Sequence, residues 1–159
     1  MTLSASVRRA THRDADALAR LVNAAYAIES FFVDGDRTHA GEIGDLLGRG
    51  AFVVLEQPGG LAAAVYVQRG YFGMLSVHPE RQGLGLGRRL VQVAEAMCEA
   101  EGCDAVDLRI INLREELGRW YRSMGYREVG TAPYEHRPVK QPCHFVEMRK
   151  VLRPVAAAA

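Results

Sequence analysis

Apolar and polar residues alternate, or apolar residues run together, in several short stretches of the chain, and this pattern predicts β-strands. The predicted strands cover residues 5–9, 51–57, 61–68, 71–77, 104–111, 126–132 and 143–152. Elsewhere apolar residues recur at helical spacing, which predicts amphipathic helices. Two of these helices cover about 14–28 and 40–48, and two more have apolar faces from Leu86 to Met97 and from Leu113 to Met124.

The connections between the predicted strands indicate how the sheet is ordered. Three strands between residues 51 and 77 are separated by short turns, so they form an antiparallel meander. Strand 104–111 follows through a helix, and such a crossover is typical of parallel neighbours. The pattern therefore predicts one α+β domain over residues 1–153, with helices flanking a mixed, mostly antiparallel sheet. The tail, residues 154–159, has nothing to pack against and is expected to be disordered.

Composition and charge argue against several classes of partner. The chain has 159 residues, 48% of them hydrophobic and 25% charged, with a formal net charge of +1. So small a charge gives no overall field that would attract nucleic acid or a membrane surface. No apolar run approaches the roughly 20 residues that cross a bilayer. The N-terminus shows no targeting pattern, so we expect a cytoplasmic protein.

The three cysteines, Cys98, Cys103 and Cys143, do not have the spacing that is typical of a metal site. An odd number without a secretory signal indicates free thiols in a reducing compartment. Cys98 lies among apolar helix residues and is expected in the core. The sequence therefore predicts that the protein binds no metal.

The segment RQGLGLGRR, residues 81–89, has glycine at every second position directly before a predicted helix. Glycine lets the backbone take positive φ and approach a ligand closely, and a helix N-terminus offers free N–H groups to an anion. A Walker A loop needs Lys followed by Ser or Thr, and a dinucleotide fingerprint needs glycine where Arg88 stands. Two interpretations stay open from these residues: an acyl-CoA pyrophosphate site, or a turn whose glycines only let the helix pack closely.

Two segments, in the right order along the chain, resemble the motifs of one family. LSVHPERQGLGLGRRL, residues 75–90, resembles motif A of the GNAT superfamily of N-acetyltransferases, in its form Q/R-x-x-G-x-G/A. The defined places are taken by Gln82, Gly85 and Gly87. WYRSMGY, residues 120–126, resembles motif B, in which an aromatic pair precedes glycine and Phe or Tyr. The order of the predicted elements is also similar to that of the GNAT fold.

The resemblance implies that acetyl-CoA is the cosubstrate and enters where strands 71–77 and 104–111 splay apart, the first of them bulged. In such a site strand backbone pairs with the pantetheine arm, loop N–H groups hold the pyrophosphate, and a side-chain amide reaches the arm. The corresponding residues are Leu75, Ser76 and Val77 on the strand, Gln82, Gly83, Leu84, Gly85, Leu86, Gly87 and Arg88 in the loop, and Asn112 for the amide.

By the same resemblance, Tyr121 holds the position that protonates the leaving thiolate. A tyrosine keeps its proton at neutral pH, since its unperturbed pKa is about 10, and this suits a general acid. Its spacing from Leu117 and Met124 would equally suit a core aromatic residue. A backbone N–H near Val77 is the expected donor to the oxyanion.

The general base stays open. Strand 71–77 has no carboxylate, although many members of the family carry a glutamate there. Tyr26 and Glu29, at the end of the first predicted helix, are the candidates for the acceptor site. Two histidines are weaker candidates, because His78 is expected to be exposed and His144 could equally lie on the sheet surface.

The sequence thus predicts an N-acetyltransferase that moves an acetyl group from acetyl-CoA to a primary amine of a small molecule or peptide by direct attack. The alternative is a module that senses acyl-CoA without turnover, which the missing strand carboxylate favours. Residues 26–50 and 131–143 are expected to choose the amine, and their acidic residues mildly favour a cationic one. A homodimer through the last strand or the 131–143 loop is a further expectation.

Overall fold

A computed structural model describes residues 5–153 of the chain, so the predicted tail at 154–159 lies outside the described residues. The strands are β1 (Ser6–Arg9), β2 (Ala51–Gln57), β3 (Gly60–Gln68), β4 (Tyr71–Val77), β5 (Ala105–Ile111), β6 (Arg127–Pro133) and β7 (His144–Val151). The α-helices are α1 (Ala15–Tyr26), α2 (Ala40–Leu47), α3 (Leu86–Ala100) and α4 (Glu115–Ser123). Short 3₁₀ turns lie at His12–Asp14, Ala27–Phe31 and Pro79–Arg81. The seven strands and the two helices that were predicted with bounds are therefore confirmed to within about two residues at each end. The two helices that were predicted by their apolar faces are also present.

The strands form one sheet in the order β1-β2-β3-β4-β5-β7-β6. Its pairs are antiparallel except for the parallel pair β4–β5, whose connection is helix α3. The predicted α+β class, with a mixed and mostly antiparallel sheet, is confirmed. The insertion of β7 between β5 and β6 was not predicted, because strand order depends on contacts between distant residues.

The sheet opens between β4 and β5. These two strands pair only at Tyr71 and Asp107, where the Asp107 N–H donates to the Gly70 carbonyl at 2.9 Å. Further along, β4 is bulged, since its register with β3 shifts and Met74 takes a positive φ of 49°. A bulge bends a strand and increases its twist, so β4 turns away from β5 and leaves a gap.

The central strands are apolar on both sides because each side of the sheet is covered. On one side Val53, Leu55, Ala63 and Val65 belong to a core with α3 and α4. On the other side Phe52, Val54, Ala64 and Tyr66 pack in a core with α1 and α2. Successive strand residues point to opposite faces, which explains the unbroken apolar runs of β2 and β3.

Helix α3 joins the glycine-rich segment 81–89 to the core. Cys98 on this helix is fully buried, as predicted, and all three cysteines are free thiols. Each helix within residues 5–153 falls short of the length and apolar character that a bilayer crossing requires.

Candidate functional site

A cleft of about 1210 Å³ lies where β4 and β5 separate. At one end it is lined by the loop before α3, and along its floor by β4 and β5. The other end, which we call the acceptor end, is lined by residues from several distant segments. They are Tyr26, Glu29, Arg37, Glu42, Tyr71, Arg114, Tyr134, His136, Arg137 and Phe145. Tyr121 lines the same cleft.

The backbone of β4 presents unpaired groups to this gap. The His78 N–H donates to the Ala62 carbonyl at 2.8 Å. His78 and Ala62 are therefore a hydrogen-bonded pair of residues between β4 and β3. Because hydrogen-bonded and free pairs alternate along an antiparallel ladder, Ser76 also bonds toward β3, opposite Ala64. The backbone groups of Leu75 and Val77 point the other way, into the gap, and both residues line the cleft. The geometry thus places Leu75 and Val77, rather than the buried Ser76, where an extended ligand could pair.

The glycine loop forms an open anion site at the start of α3. Gly83 and Gly85 have positive φ values of 79° and 78°, and a Cβ at either would meet nothing within 4 Å. Gly85 is the N-cap and has no side chain that could cap the first turn of α3, and no such cap is formed within residues 5–153. These free N–H groups and the positive end of the helix dipole favour an anion.

The loop residues do not all face the cleft. Those that line it are Gln82, Gly83, Gly85, Leu86, Gly87 and Arg88. Leu84 does not line it, and its side chain is 66% exposed.

Gly87 has a different role from the other two glycines. A Cβ there would lie 3.3 Å from the Trp120 ring and 3.6 Å from a Val77 methyl carbon. The close-packing interpretation therefore holds for Gly87, which lets α3 approach α4 beside the cleft.

Tyr121 belongs both to the core and to the lining of the cleft, which are the two positions that its place in the sequence suggested. Its ring is buried against Phe72, Trp120 and Tyr126, with centroids 4.9–6.2 Å away. Its hydroxyl makes no hydrogen bond within residues 5–153, although buried tyrosine hydroxyls usually find a partner. Burial raises the pKa of Tyr121 far above its ordinary value, so the hydroxyl keeps its proton.

Glu29 and Arg114 form a buried ion pair at the acceptor end. The Arg114 guanidinium lies 3.2 Å from the Glu29 carboxylate, and their side chains are 13% and 7% exposed. Burial raises the pKa of Glu29, while Arg114 opposes that shift. Burial also raises the pKa of Tyr26, to about 12. The structure therefore brings both predicted acceptor residues into the cleft that holds Tyr121.

Several acceptor-end residues were not identified from the sequence, among them Tyr71, Arg37, Arg114 and Arg137. Of these four, only Tyr71 could have been found from nearby sequence, through the glycine at position 73. Its ring lies over Gly73, where a Cβ would stand 2.6 Å from the tyrosine hydroxyl. A glycine inside a strand often marks such a close approach.

Three other predicted residues lie away from the cleft lining. The Asn112 side-chain oxygen accepts a hydrogen bond from the His144 N–H at 2.8 Å, so this side chain ties β5 to β7. His78 caps the turn after β4, where its Nδ1 accepts from the Glu80 N–H at 3.1 Å. His144 is exposed. Neither histidine is placed to act in the cleft.

The loop between β6 and β7 lines the acceptor end and is bonded to the segment after α1. The Lys140 N–H donates to the Phe32 carbonyl at 2.7 Å, and the Lys140 ammonium lies 2.9 Å from Asp34. An isolated bridge pairs Val33 with Val139. The two segments that were expected to choose the amine are thus bound to each other.

Comparisons with known proteins agree with this architecture. A family model described as the acetyltransferase (GNAT) domain matches residues 48–128. No curated protein sequence matches the chain.

Solved structures share the fold at low sequence identity. The S18-alanine N-acetyltransferase of Escherichia coli has 19% identity and a TM-score of 0.74, with 98% of this chain and 99% of that chain covered. Salmonella typhimurium yncA, solved with its cofactor acetyl-CoA, has 20% identity and a TM-score of 0.73, with 96% of each chain covered. A GNAT-family acetyltransferase of Staphylococcus aureus has 15% identity and a TM-score of 0.75, with 94% and 100% covered.

Proposed function

The chain belongs to the GNAT acetyltransferase family, and we propose that it moves an acetyl group from acetyl-CoA to a primary amine of a small molecule or peptide by direct attack. The observation that carries the proposal is one continuous cleft. It joins the open anion site at Gly83 and Gly85 to the unbonded hydroxyl of Tyr121 and to the acceptor end.

The residues along the cleft suit acetyl-CoA. The free N–H groups at the start of α3, with Arg88 beside them, would hold the pyrophosphate. The gap-facing backbone groups of Leu75 and Val77 would pair with the pantetheine arm. When bound, acetyl-CoA supplies an acetyl carbonyl that is activated as a thioester.

Two groups would act on the reacting centre. The Val77 N–H faces the gap and would stabilise the oxyanion as the amine nitrogen bonds to the acetyl carbon. Tyr121 would give its proton to the sulfur as the carbon–sulfur bond breaks. A buried, neutral hydroxyl without a protein partner suits that donation.

Glu29 is the better of the two candidates for the base. With a pKa of about 12, Tyr26 is neutral at pH 7, so it can donate a hydrogen bond but cannot take a proton. The pKa of Glu29 is raised by burial, which brings this carboxylate closer to the range that suits a general base. We propose that Glu29 accepts the amine proton, directly or through water.

Release of free thiol from acetyl-CoA, measured against a panel of small amines and short peptides, tests the proposed function. We expect release that depends on the amine, together with an acetylated product detected by mass spectrometry. Calorimetric binding of acetyl-CoA with no thiol release for any amine would contradict turnover. That outcome would favour the sensing module, which the absence of a carboxylate on β4 suggests.

Replacement of Glu29 by glutamine should lower kcat/KM about 10- to 100-fold at pH 7, because the amine loses its proton acceptor. The deficit should narrow at alkaline pH, where the amine is already neutral. Glu116→Gln is the matched control, because Glu116 also bonds Arg114, at 2.8 Å, but is exposed and does not line the cleft. A deficit that stays constant with pH would mean that Glu29 only positions Arg114.

A further inference from the structure

The acceptor end carries more positive than negative charge. Away from the loop before α3, the cleft is lined by five arginines against three carboxylates. The arginines are Arg37, Arg49, Arg109, Arg114 and Arg137, and the carboxylates are Glu29, Asp36 and Glu42. The acidic residues of segment 26–50 had favoured a cationic amine, and this lining charge argues against that expectation.

Two of these arginines are available to a ligand. Arg137 makes no ion pair within residues 5–153, and one of its nitrogens donates to the Gly35 carbonyl at 2.8 Å. Arg37 lies over the Tyr26 ring at 5.5 Å, and its nearest carboxylate, Glu42, is 4.0 Å away. Both guanidiniums act on the buried Glu29 carboxyl, lowering its pKa against the effect of burial. Both therefore carry their charge close to the expected position of the amine.

The other three arginines of the cleft either pair with carboxylates or lie further from Glu29. Arg114 bonds two carboxylates, those of Glu29 and Glu116, at 3.2 Å and 2.8 Å. Arg109 pairs with Glu147 at 3.2 Å. Arg49 follows α2 and its charge acts on Tyr66 rather than on Glu29.

The walls of the acceptor end favour a small ligand with an apolar part. Tyr134, His136 and Phe145 form a ring cluster on the cleft, with centroids 5.2–5.5 Å apart. Contacts of Lys140 with Phe32 and Asp34 join the loop that carries Tyr134 to the segment after α1. The ring cluster therefore has a supported position on the cleft, where it can contact the apolar part of a ligand.

Building on the proposed function, we propose that the acceptor is a small amine that also carries a carboxylate, such as a free amino acid, and that Arg37 and Arg137 bind this carboxylate. Guanidinium groups pair with carboxylates through parallel, charge-assisted hydrogen bonds. The carboxylate would hold the amine beside Glu29, while the ring cluster would contact an apolar side chain.

The test compares free L-amino acids, each with its own carboxamide and a tetrapeptide that begins with the same residue. Thiol release is corrected for the fraction of unprotonated amine, because the carboxamide has a more acidic amine. We expect the best acid to exceed its amide about 100-fold in kcat/KM, since two charge-assisted pairs are lost with the carboxylate. A preferred amide, polyamine or tetrapeptide would overturn the inference while leaving acetyl transfer itself intact.

Variants of Arg37 and Arg137 test whether these two residues cause the preference for the acid over its amide. Arg37→Gln and Arg137→Gln should each lower kcat/KM for the acid about 10-fold more than for the amide, because only the acid loses a charge-assisted pair. Arg119→Gln is the control, because Arg119 is exposed on α4 and does not line the cleft. Equal losses for acid and amide, with unchanged acetyl-CoA affinity, would overturn the assignment.

A binding measurement separates this inference from the proposed function. If no amine releases thiol, the proposed acetyl transfer is wrong. The carboxylate site is then tested separately, by calorimetric binding of N-acetylated amino acids in the presence of CoA. Binding that weakens in both arginine variants would support the site. No binding to the unmodified protein would overturn it.

Discussion

Replacement of Tyr121 by phenylalanine should lower kcat about 100- to 1,000-fold at neutral pH, because the sulfur would then leave without a proton donor. Acetyl-CoA affinity should be unchanged, since the ring stays in its cluster with Phe72, Trp120 and Tyr126. Steady-state kinetics and calorimetry with acetyl-CoA measure the two quantities. Turnover that matches that of the unaltered protein would contradict the role of Tyr121 as the acid.

The pH profile adds a second test of the same residue. Burial raises the pKa of Tyr121, so its acid form persists at and above neutral pH. We therefore expect kcat to rise as the amine loses its proton, with no alkaline decline below about pH 10, the ordinary value for tyrosine. A decline near pH 8 would assign the proton to another group.

Tyr126→Phe is the matched control for Tyr121→Phe. The two rings are 5.6 Å apart in one cluster, but the Tyr126 hydroxyl donates to Glu95 at 2.7 Å and does not line the cleft. This change should lower the free energy of unfolding by about 1.5–3 kcal/mol, the usual range for a hydrogen bond to a charged group, and leave kcat unaltered. Equal kinetic losses in both variants would show that ring packing, not the Tyr121 proton, was responsible.

Replacement of Gly85 by aspartate should weaken acetyl-CoA binding about 100-fold. The new carboxylate would stand at the N-terminus of α3, a few ångströms from the pyrophosphate, where like charges repel by a few kcal/mol. Isothermal calorimetry gives the dissociation constant. An affinity equal to that of the unaltered protein would remove the phosphate assignment of this loop, whatever reaction the protein performs.

Gly102→Asp is the control, at the other end of the same helix. Gly102 also has a positive φ, 85°, and a Cβ there also meets nothing within 4 Å. Both variants should lose about 1 kcal/mol of stability from the left-handed backbone. The Gly102 variant should lose slightly more, because a negative charge is unfavourable at a helix C-terminus. Only the Gly85 variant should lose affinity for acetyl-CoA.

The glycine loop before α3 could be predicted as an anion site from the sequence because its information is local. Positive-φ glycines directly before an apolar helical pattern are adjacent residues, and their geometry follows from one turn of chain. The sequence could not separate Gly87 from Gly83 and Gly85. That distinction depends on Trp120, which folding places 3.3 Å from where a Gly87 Cβ would be.

The acceptor end was only partly visible, since it is assembled from segments that are far apart in the chain. Tyr26 and Glu29 were identified by their place at the end of the first predicted helix, but Arg114 and Arg137 come near them only in the folded chain. The charge around the acceptor end could not be predicted from its acidic residues for the same reason. Carboxylates that looked free in the sequence are paired, Glu29 with Arg114 and Asp34 with Lys140.

The sequence by itself determined the elements and the class of sheet, because these depend on spacing between near neighbours, which periodicity and turn chemistry make visible. It also predicted the anion loop from its glycines and, through the resemblance to the family, Tyr121 as the acid. Only the tertiary structure decided which β4 backbone groups face the gap, how the β6–β7 loop is joined to the segment after α1, and which arginines of the cleft are held by carboxylates. These depend on strand register and on contacts between distant residues, which form when the sheet and its two cores assemble.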